Sequence, residues 1–274
     1  MQMNKVYAAY FSPTHTSRTV ARKVAAGTEL PRKELDATLA PLPETALTAD
    51  DLLVAAVPIY GGQVAPLALR RLAGLRGEGT PAAAIVVYGN RDFGHAAVEL
   101  AAFLAERGFV VTAVAAFVGE HSYSSAETPI AAGRPSAVDC RDARKLGQRL
   151  VEKLRWGEVK GVRAARLRCP ASGWLAQLRF VRFVLGYRHE MKRKPAVLLP
   201  VTDAARCVNC GLCARICPTG AISPGDGLHT DAGKCIRCAA CVKDCPHGAR
   251  TYATPFAAVL SRNFSRPKRN VWMV

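Results

Sequence analysis

The chain has no run of eighteen uninterrupted apolar residues, and it has no Gly-x-Gly-x-x-Gly fingerprint anywhere in its 274 residues. The first absence argues against a membrane-spanning helix, and the second against a built-in nicotinamide dinucleotide site. A secretory start is also missing, because residues 1–5 run directly into a strand-like segment without an h-region or cleavage site. We therefore expect a cytoplasmic protein.

Acidic residues are scarce as well, with 21 Asp and Glu against 38 Lys and Arg and a formal net charge of +17. Residues 156–274 hold 20 of the basic residues but only 6 of the acidic ones. Basic surfaces attract acidic partners. Nucleic acid is the competing explanation, but no nucleic-acid-binding motif accompanies the charge, so we do not expect that partner. No acid–base pair or activated nucleophile stands out either.

Cysteine, by contrast, is abundant and ordered. Eight of the ten cysteines lie between positions 207 and 245, in two copies of the run C-x2-C-x2-C-x3-C-P. This is the spacing of bacterial-type ferredoxins, in which the fourth cysteine of each run ligates the other cluster. A zinc site would need two ligand pairs, and a disulfide framework belongs to small secreted domains. The predicted ligands of two 4Fe-4S clusters are Cys207, Cys210, Cys213 and Cys245 for one, and Cys235, Cys238, Cys241 and Cys217 for the other.

The two remaining cysteines, Cys140 and Cys169, have no ligand spacing. Free cysteines are among the most often buried residues. We expect both to be buried, inert thiols.

Residues 1–155 alternate between strand-like and helix-like segments. Strands are predicted over 5–11, 32–37, 52–59, 82–88 and 109–117, and helices over 17–27, 66–75, 93–107 and 136–155. Five apolar strands separated by helices predict an α/β fold, a doubly wound parallel sheet covered on both faces. Ligands bind such sheets at the carboxyl ends of the strands.

Three of these strand ends carry groups suited to a ligand. The first leads through several hydroxyls into a helix start, where hydroxyls and unpaired N–H groups can bind an anion; a plain N-capped helix is the alternative. The other two carry an aromatic, glycines that allow close approach to a ring, and polar side chains. The candidates are Ser12, Thr14, His15, Thr16, Ser17, Pro58, Ile59, Tyr60, Gly61, Gly89, Asn90, Arg91 and Asp92.

These loops resemble those of flavodoxins, whose phosphate loop follows the pattern Thr/Ser-x-Thr-Gly-x-Thr. The hydroxyls of residues 12–17 fall on its polar positions, and His15 stands where the glycine is usual. The resemblance implies FMN, with Tyr60 against the isoalloxazine face and residues 90–92 at the pyrimidine edge.

The whole chain is similar to flavodoxin–ferredoxin fusion proteins over most of residues 4–252. That resemblance implies a flavodoxin-like domain over 1–155 and a small α+β two-cluster ferredoxin domain over 196–254. Between them we predict a basic connector over 156–195 with a helix, and after them a basic tail over 255–274. We favour a connector helix that packs on the first domain over one that lies on anionic lipid.

The leading hypothesis is an electron-transfer iron–sulfur flavoprotein that passes electrons between two 4Fe-4S clusters and FMN. Its partner would be an acidic redox protein or a small-molecule electron acceptor, and a homodimer is left open. One alternative is a reductase acting on a small molecule at the flavin. Another is a ferredoxin whose flavodoxin-like domain binds no flavin. The presence of His15 in the phosphate loop leaves this alternative open.

Overall fold

The chain divides into two compact units, and neither is one continuous stretch of sequence. The computed structural model describes residues 3–157 and 159–274. The first unit comprises residues up to Glu120, Gly133–Pro170 and Lys268–Val274, and the second comprises His121–Ala132 and Ala171–Pro267. These divisions differ from the predicted segments, because residues 121–132 leave the first unit and residues 268–274 return to it.

The first unit is built on strands that alternate with helices. Its strands are β1 (Lys5–Tyr10), β2 (Arg32–Asp36), β3 (Thr45–Leu47), β4 (Asp51–Tyr60), β5 (Gln63–Val64), β6 (Leu75–Gly77), β7 (Thr80–Tyr88), β8 (Phe109–Val118) and, from the C-terminal segment, β11 (Val271–Met273). Its helices are α1 (Thr16–Gly27), α2 (Pro66–Arg71), α3 (Ala96–Ala105) and α4 (Ala137–Arg155), with a 3-10 turn at Ala164–Arg166.

The main sheet has the order β11-β8-β7-β4-β1-β2, and all neighbours pair in parallel except β11, which is antiparallel to β8. Its five parallel strands, numbered along the chain, lie in the order 2-1-3-4-5, which is the flavodoxin-like doubly wound topology. The predicted fold class is thus confirmed. Two antiparallel strands add to the predicted five, because β5 turns back on β4 and β11 covers the outer edge of β8.

Helices α1 and α4 cover one face of this sheet and pack against each other through glycines. A Cβ on Gly27 would lie 2.0 Å from the carbonyl oxygen of Arg144, and one on Gly147 would lie 2.1 Å from that of Val24. The helices therefore meet backbone to backbone, and the apolar side chains beside the glycines are buried against β1, β4, β7 and β8. This packing fixes where α1 begins, beyond the carboxyl end of β1.

A buried polar network anchors the C-terminal segment in the first unit. Asn270 accepts a hydrogen bond from the Val118 N–H (3.0 Å) and donates one to the Asp139 carboxylate (2.8 Å). Arg134 donates twice to the same carboxylate, and its guanidinium also donates to the Lys268 carbonyl (2.7 Å). Asp139 closes a capping box with Ser136 at the start of α4, so one carboxylate joins a helix cap to the edge of the sheet.

The second unit contains short elements around the cysteine runs. They are α5 (Trp174–Arg193), β9 (Val201–Thr202), α6 (Leu212–Arg215), α7 (Ala240–Lys243), β10 (Arg250–Thr251) and α8 (Pro255–Asn263). Strands β9 and β10 pair antiparallel. The predicted tail over 255–274 is therefore structured: it holds α8, which Thr254 caps, and β11.

The cysteine segment is a structural repeat, in which Cys207 of the first copy corresponds to Cys235 of the second. The backbone is left-handed at Asn209 (φ 52°) and at its counterpart Arg237 (φ 57°). The N–H of Cys207 donates to the Asp203 carbonyl and that of Cys235 to the Asp231 carbonyl, both at 3.0 Å. The two runs thus fold into the same loop followed by the same helical turn.

Helix α5 packs against α8 through edge-to-face aromatic pairs. Phe180 meets Phe264 at a ring-centroid distance of 5.6 Å, and Phe183 meets Phe256 at 5.1 Å. The structure describes every residue of α5, and none of them is buried. Among the described residues, no helix combines the length and the apolar character that crossing a bilayer requires.

Candidate cluster and cofactor sites

The first set of predicted cluster ligands lines one cavity. Cys207, Cys210 and Cys213 meet the fourth cysteine of the second run, Cys245, around a volume of about 410 Å³. The loop of the first run supplies three thiols, and the fourth comes from the far end of the second run. The four thiols that the spacing assigns to one cluster thus lie around one cavity.

The second set is gathered in the same way. Cys235, Cys238 and Cys241 line a cavity of about 320 Å³ together with Cys217, the fourth cysteine of the first run. Cys241 also borders the first cavity, so the two cavities are neighbours. A 4Fe-4S cluster takes four thiolate ligands, and each cavity brings one predicted set of four together.

Backbone N–H groups point at the two exchanged sulfurs. The Ala221 N–H lies 3.2 Å from Cys217 Sγ, and its counterpart, the Ala249 N–H, lies 3.3 Å from Cys245 Sγ. Burial alone would raise the pKa of Cys245, but N–H groups including that of Ala249 hold it below its ordinary value. Hydrogen bonds to cluster sulfurs also stabilise the reduced cluster.

Two other cysteines that line the second cavity, Cys238 and Cys241, are more deeply buried than Cys245. Burial raises the pKa of Cys238 to about 12 and that of Cys241 to about 11. A thiol binds iron only as thiolate, so these two positions would be strongly disfavoured as free anions and need the positive iron to neutralise them. Within residues 3–157 and 159–274, no three ligating side chains converge on a point suited to one metal ion. The four thiolates of a 4Fe-4S cluster bind four different irons, so they do not need to converge on one point.

One buried cation accompanies the cysteines, and the sequence analysis missed it. Arg250 is 3% exposed and lines the first cavity. Its guanidinium donates to Thr202 Oγ1 (2.9 Å), the Gly227 carbonyl (2.7 Å) and Thr230 Oγ1 (2.5 Å). A comparison of the two repeats would have revealed it, since position 222 in the first repeat is isoleucine.

The predicted phosphate loop lies between β1 and α1. Ser12 Oγ accepts a hydrogen bond from the Arg18 N–H (2.9 Å), and the Ser12 N–H donates to Thr38 Oγ1 (3.0 Å), so Ser12 holds the loop in shape. Among the described residues, no acceptor is found for the N–H groups of Thr16 and Ser17, which are the first two of α1. Those groups are available to an anion.

Ser17 is the best indicator of a ligand in this loop. It is completely buried, and its hydroxyl has no partner among the described residues. A buried hydroxyl without a hydrogen bond is costly, and a phosphate at the start of α1 would satisfy it. Thr14 and Thr16 are partly exposed on the same loop, so the donor set fits the phosphate of FMN.

His15 has the backbone conformation that a glycine would adopt. Its φ is 67° and its ψ is −11°, in the left-handed region that histidine enters more readily than most non-glycine residues. Its side chain is exposed and does not cap α1 within the described structure. The helix start is therefore capped by the Ser12 hydroxyl, which accepts the Arg18 N–H, and not by His15.

The loops after β4 and β7 approach each other closely. A Cβ on Gly94 would lie 2.3 Å from the Gly62 carbonyl oxygen, and the His95 N–H donates to that oxygen (3.0 Å). Pro58, Ile59 and Tyr60 are all partly exposed at the end of β4, followed by Gly61 with φ 65°. Tyr60 and the glycines that follow it therefore form an exposed edge next to β1, the strand that leads into the phosphate loop.

Most of the residues predicted for the pyrimidine edge make hydrogen bonds to other groups of the protein. Asn90 is buried in a left-handed conformation, and its Oδ1 accepts the Lys268 N–H (2.9 Å). Asp92 accepts the Gly94 N–H (2.8 Å), and the Lys268 ammonium donates to the Arg91 carbonyl (2.5 Å). Gly89 precedes them and is partly exposed. Their side chains thus shape the loop, and Lys268, which sequence reasoning did not select, supports it.

The two remaining cysteines are not buried as expected. Cys140 and Cys169 are both partly exposed. The Cys169 sulfur lies 3.6 Å from Lys268 Nζ, and burial raises its pKa. Cys169 therefore lies beside the loop of residues 90–94 that Lys268 supports.

Comparison with known proteins identifies the second unit. Residues 206–249 match the model of the 4Fe-4S dicluster domain. No curated protein matches the chain.

Among solved structures, a flavodoxin from the domain Archaea is 14% identical over 55% of this chain and 99% of its own, with a TM-score of 0.36. A WrbA-like flavodoxin from Agrobacterium tumefaciens is 17% identical over 57% and 99%, with a TM-score of 0.38. Rubredoxin oxygen:oxidoreductase from Desulfovibrio gigas is 16% identical over 57% of this chain, which spans 37% of that enzyme, with a TM-score of 0.39. The fold assignment rests on the strand order described above.

Proposed function

We propose that this chain, which joins an α/β domain of flavodoxin-like topology to a 4Fe-4S dicluster domain, is an electron-transfer iron–sulfur flavoprotein. It holds two 4Fe-4S clusters and one FMN. The observation that carries the proposal is the pair of neighbouring cavities on which all eight cysteines of the two runs converge, with Cys241 bordering both. Two sets of four thiols match the ligation of two 4Fe-4S clusters.

The chemistry of such a set is conversion between one-electron and two-electron transfer. A 4Fe-4S cluster exchanges one electron at a time, whereas a flavin can hold one or two. The chain's own residues line the cavities with apolar side chains such as Ile216 and Ile222, and direct N–H groups at Cys217 and Cys245. The N–H groups favour uptake of an electron by an anionic cluster, whereas the apolar lining keeps water out and by itself disfavours the added negative charge.

The flavin half of the proposal is supported by the start of α1. Two N–H groups that have no acceptor among the described residues, together with the buried Ser17 hydroxyl, form an anion site at a helix N-terminus. The open edge at Tyr60 and Gly61 gives a planar ring a surface to lie against. We place the protein in the cytoplasm, where cluster thiols stay reduced before assembly.

For the partner, the charge favours an acidic redox protein. Basic residues dominate 156–274, and α5 carries Arg179, Arg182 and Arg188 on an exposed helix. Electrostatically steered association slows as salt rises. A reduction rate with an acidic ferredoxin or flavodoxin that is unchanged between low and high salt would contradict this partner.

The direct test is cofactor content after strictly anaerobic purification. We expect about eight iron and eight sulfide per chain and one FMN, with a visible spectrum that bleaches on addition of dithionite. Full iron without FMN, and without uptake of added FMN, would establish a ferredoxin with an empty flavodoxin-like domain. Turnover of a small molecule by the reduced protein alone would instead establish a reductase.

A further inference from the structure

Within the described residues, the buried guanidinium of Arg250 has no carboxylate as counter-charge. Its three hydrogen bonds go to two threonine hydroxyls and one carbonyl, and no ion pair within the described residues includes it. Its Nε is buried and has no partner there. A buried charge is costly unless it is paired, so the anion that balances Arg250 has to come from a bound group.

The position of Arg250 identifies that group. The residue lines the cavity of Cys207, Cys210, Cys213 and Cys245. Its guanidinium also donates to Thr230 Oγ1, and Thr230 lines the cavity of the neighbouring set. A cubane with four thiolates carries a net negative charge, so a cluster in either cavity would place an anion near this guanidinium.

The internal repeat shows that this cation is an addition to the ferredoxin pattern. Thr202 and Thr230, which both accept from Arg250, occupy equivalent places in the two repeats, each shortly before the first cysteine of its run. The counterpart of Arg250 itself is Ile222, which is 2% exposed and lines the second cavity. An apolar residue is therefore sufficient at this place to fold one repeat.

We propose that Arg250 is the counter-charge of the two clusters and that its guanidinium raises their reduction potentials. Each cluster becomes more negative by one charge when it takes up an electron. A fixed cation in a low-dielectric interior stabilises that added charge more than it stabilises the oxidised state. The inference rests on the cluster ligation proposed above.

The test uses the holoprotein with Arg250→Gln, which removes the charge but keeps hydrogen-bond donors, and Arg250→Lys, which keeps the charge. Arg262→Gln, on the exposed side of α8, is the matched control. Iron and sulfide are counted first, and the clusters are then titrated anaerobically with dithionite while EPR follows the reduced form. We expect Arg250→Gln to lower the ratio of reduced to oxidised cluster at a fixed potential at least tenfold, which is about 59 mV for a one-electron couple. Arg250→Lys and the control should change it less than threefold.

Two outcomes would overturn the proposal. One is an Arg250→Gln protein with full iron whose ratio equals that of the control. The other is loss of clusters from the Gln and Lys variants alike, which would make Arg250 a purely structural residue. Loss of clusters from the Gln variant alone would support a required charge. A wild-type protein without eight iron would instead refute the ligation itself.

Discussion

Replacing Ser17 with alanine should affect the flavin-free and the flavin-bound protein in opposite directions. In the structure the Ser17 hydroxyl is fully buried and has no hydrogen-bond partner among the described residues. An unsatisfied buried polar group costs about 1–3 kcal/mol. Removing it should therefore leave the free energy of unfolding of the flavin-free protein unchanged or raise it by up to about 1 kcal/mol, because some of that cost is recovered.

The flavin-bound protein should lose a hydrogen bond to the phosphate dianion. Bonds to charged groups contribute about 1.5–3 kcal/mol, and about 1.4 kcal/mol is tenfold in a dissociation constant. Ser17→Ala should therefore weaken FMN binding about 10- to 150-fold. Quenching of FMN fluorescence gives the dissociation constant, and urea unfolding of the flavin-free protein gives the stability.

Ser12→Ala is the matched comparison on the same loop. Its hydroxyl already accepts the Arg18 N–H at 2.9 Å, so its loss should destabilise the flavin-free protein by about 1 kcal/mol. If Ser17→Ala destabilises the flavin-free protein as much as Ser12→Ala does and leaves FMN affinity unchanged, the assignment of Ser17 to a phosphate site is wrong.

Three further predictions concern the clusters, the capping network and the phosphate loop. The double variant Cys217→Ala/Cys235→Ala should keep about four irons, because both residues belong to one cavity. The double variant Cys217→Ala/Cys207→Ala should lose both clusters, because it removes one ligand from each. The opposite pattern would refute exchanged ligation. Burial would raise the pKa of Asp139, but Arg134 and other donors hold it well below its usual range. The contribution of this carboxylate to stability is therefore complete above the unfolded pKa of about 3.9 and is lost as pH falls further. The free energy of unfolding of Asp139→Asn should accordingly fall less steeply with decreasing pH than that of the wild type. His15→Gly should raise the free energy of unfolding by up to about 1 kcal/mol by relieving the left-handed backbone, with FMN affinity changed less than threefold, and a tenfold loss would show that the imidazole contacts the flavin.

The elements that the sequence predicted well are those with an unambiguous local pattern. Strands β4, β7 and β8 are buried along nearly their whole length, so their apolar runs stand out. Helix α4 begins where Ser136 predicted, since the serine and Asp139 form a capping box. Helix α2, predicted over 66–75, ends at Arg71 because Leu75 enters the short strand β6. That pairing with β3 is a tertiary contact that helical periodicity does not contain.

The parts that escaped prediction depend on partners distant in sequence. Strand β11 comes from the last residues of the chain and pairs with β8 of the first unit, with the whole cysteine segment between them in sequence, and nothing near Trp272 indicates it. The start of α8 did have a local signal, because a threonine cap followed by proline at the first helical position is a common start. The cysteine spacing predicted which thiols meet, whereas no local pattern predicted that Asn90 Oδ1 would accept the N–H of Lys268, which lies 178 positions further along the chain.

The route of the chain has a consequence for the order of events during synthesis. The edge of β8 stays open until residues 271–273 have been made, and by then residues 206–249 with all eight cluster cysteines have already been synthesised. An open edge strand is prone to wrong pairing, so the first unit is at its most vulnerable while the cysteine repeats are being translated. The first unit can therefore complete its sheet only after the cysteine repeats of the second unit have been synthesised.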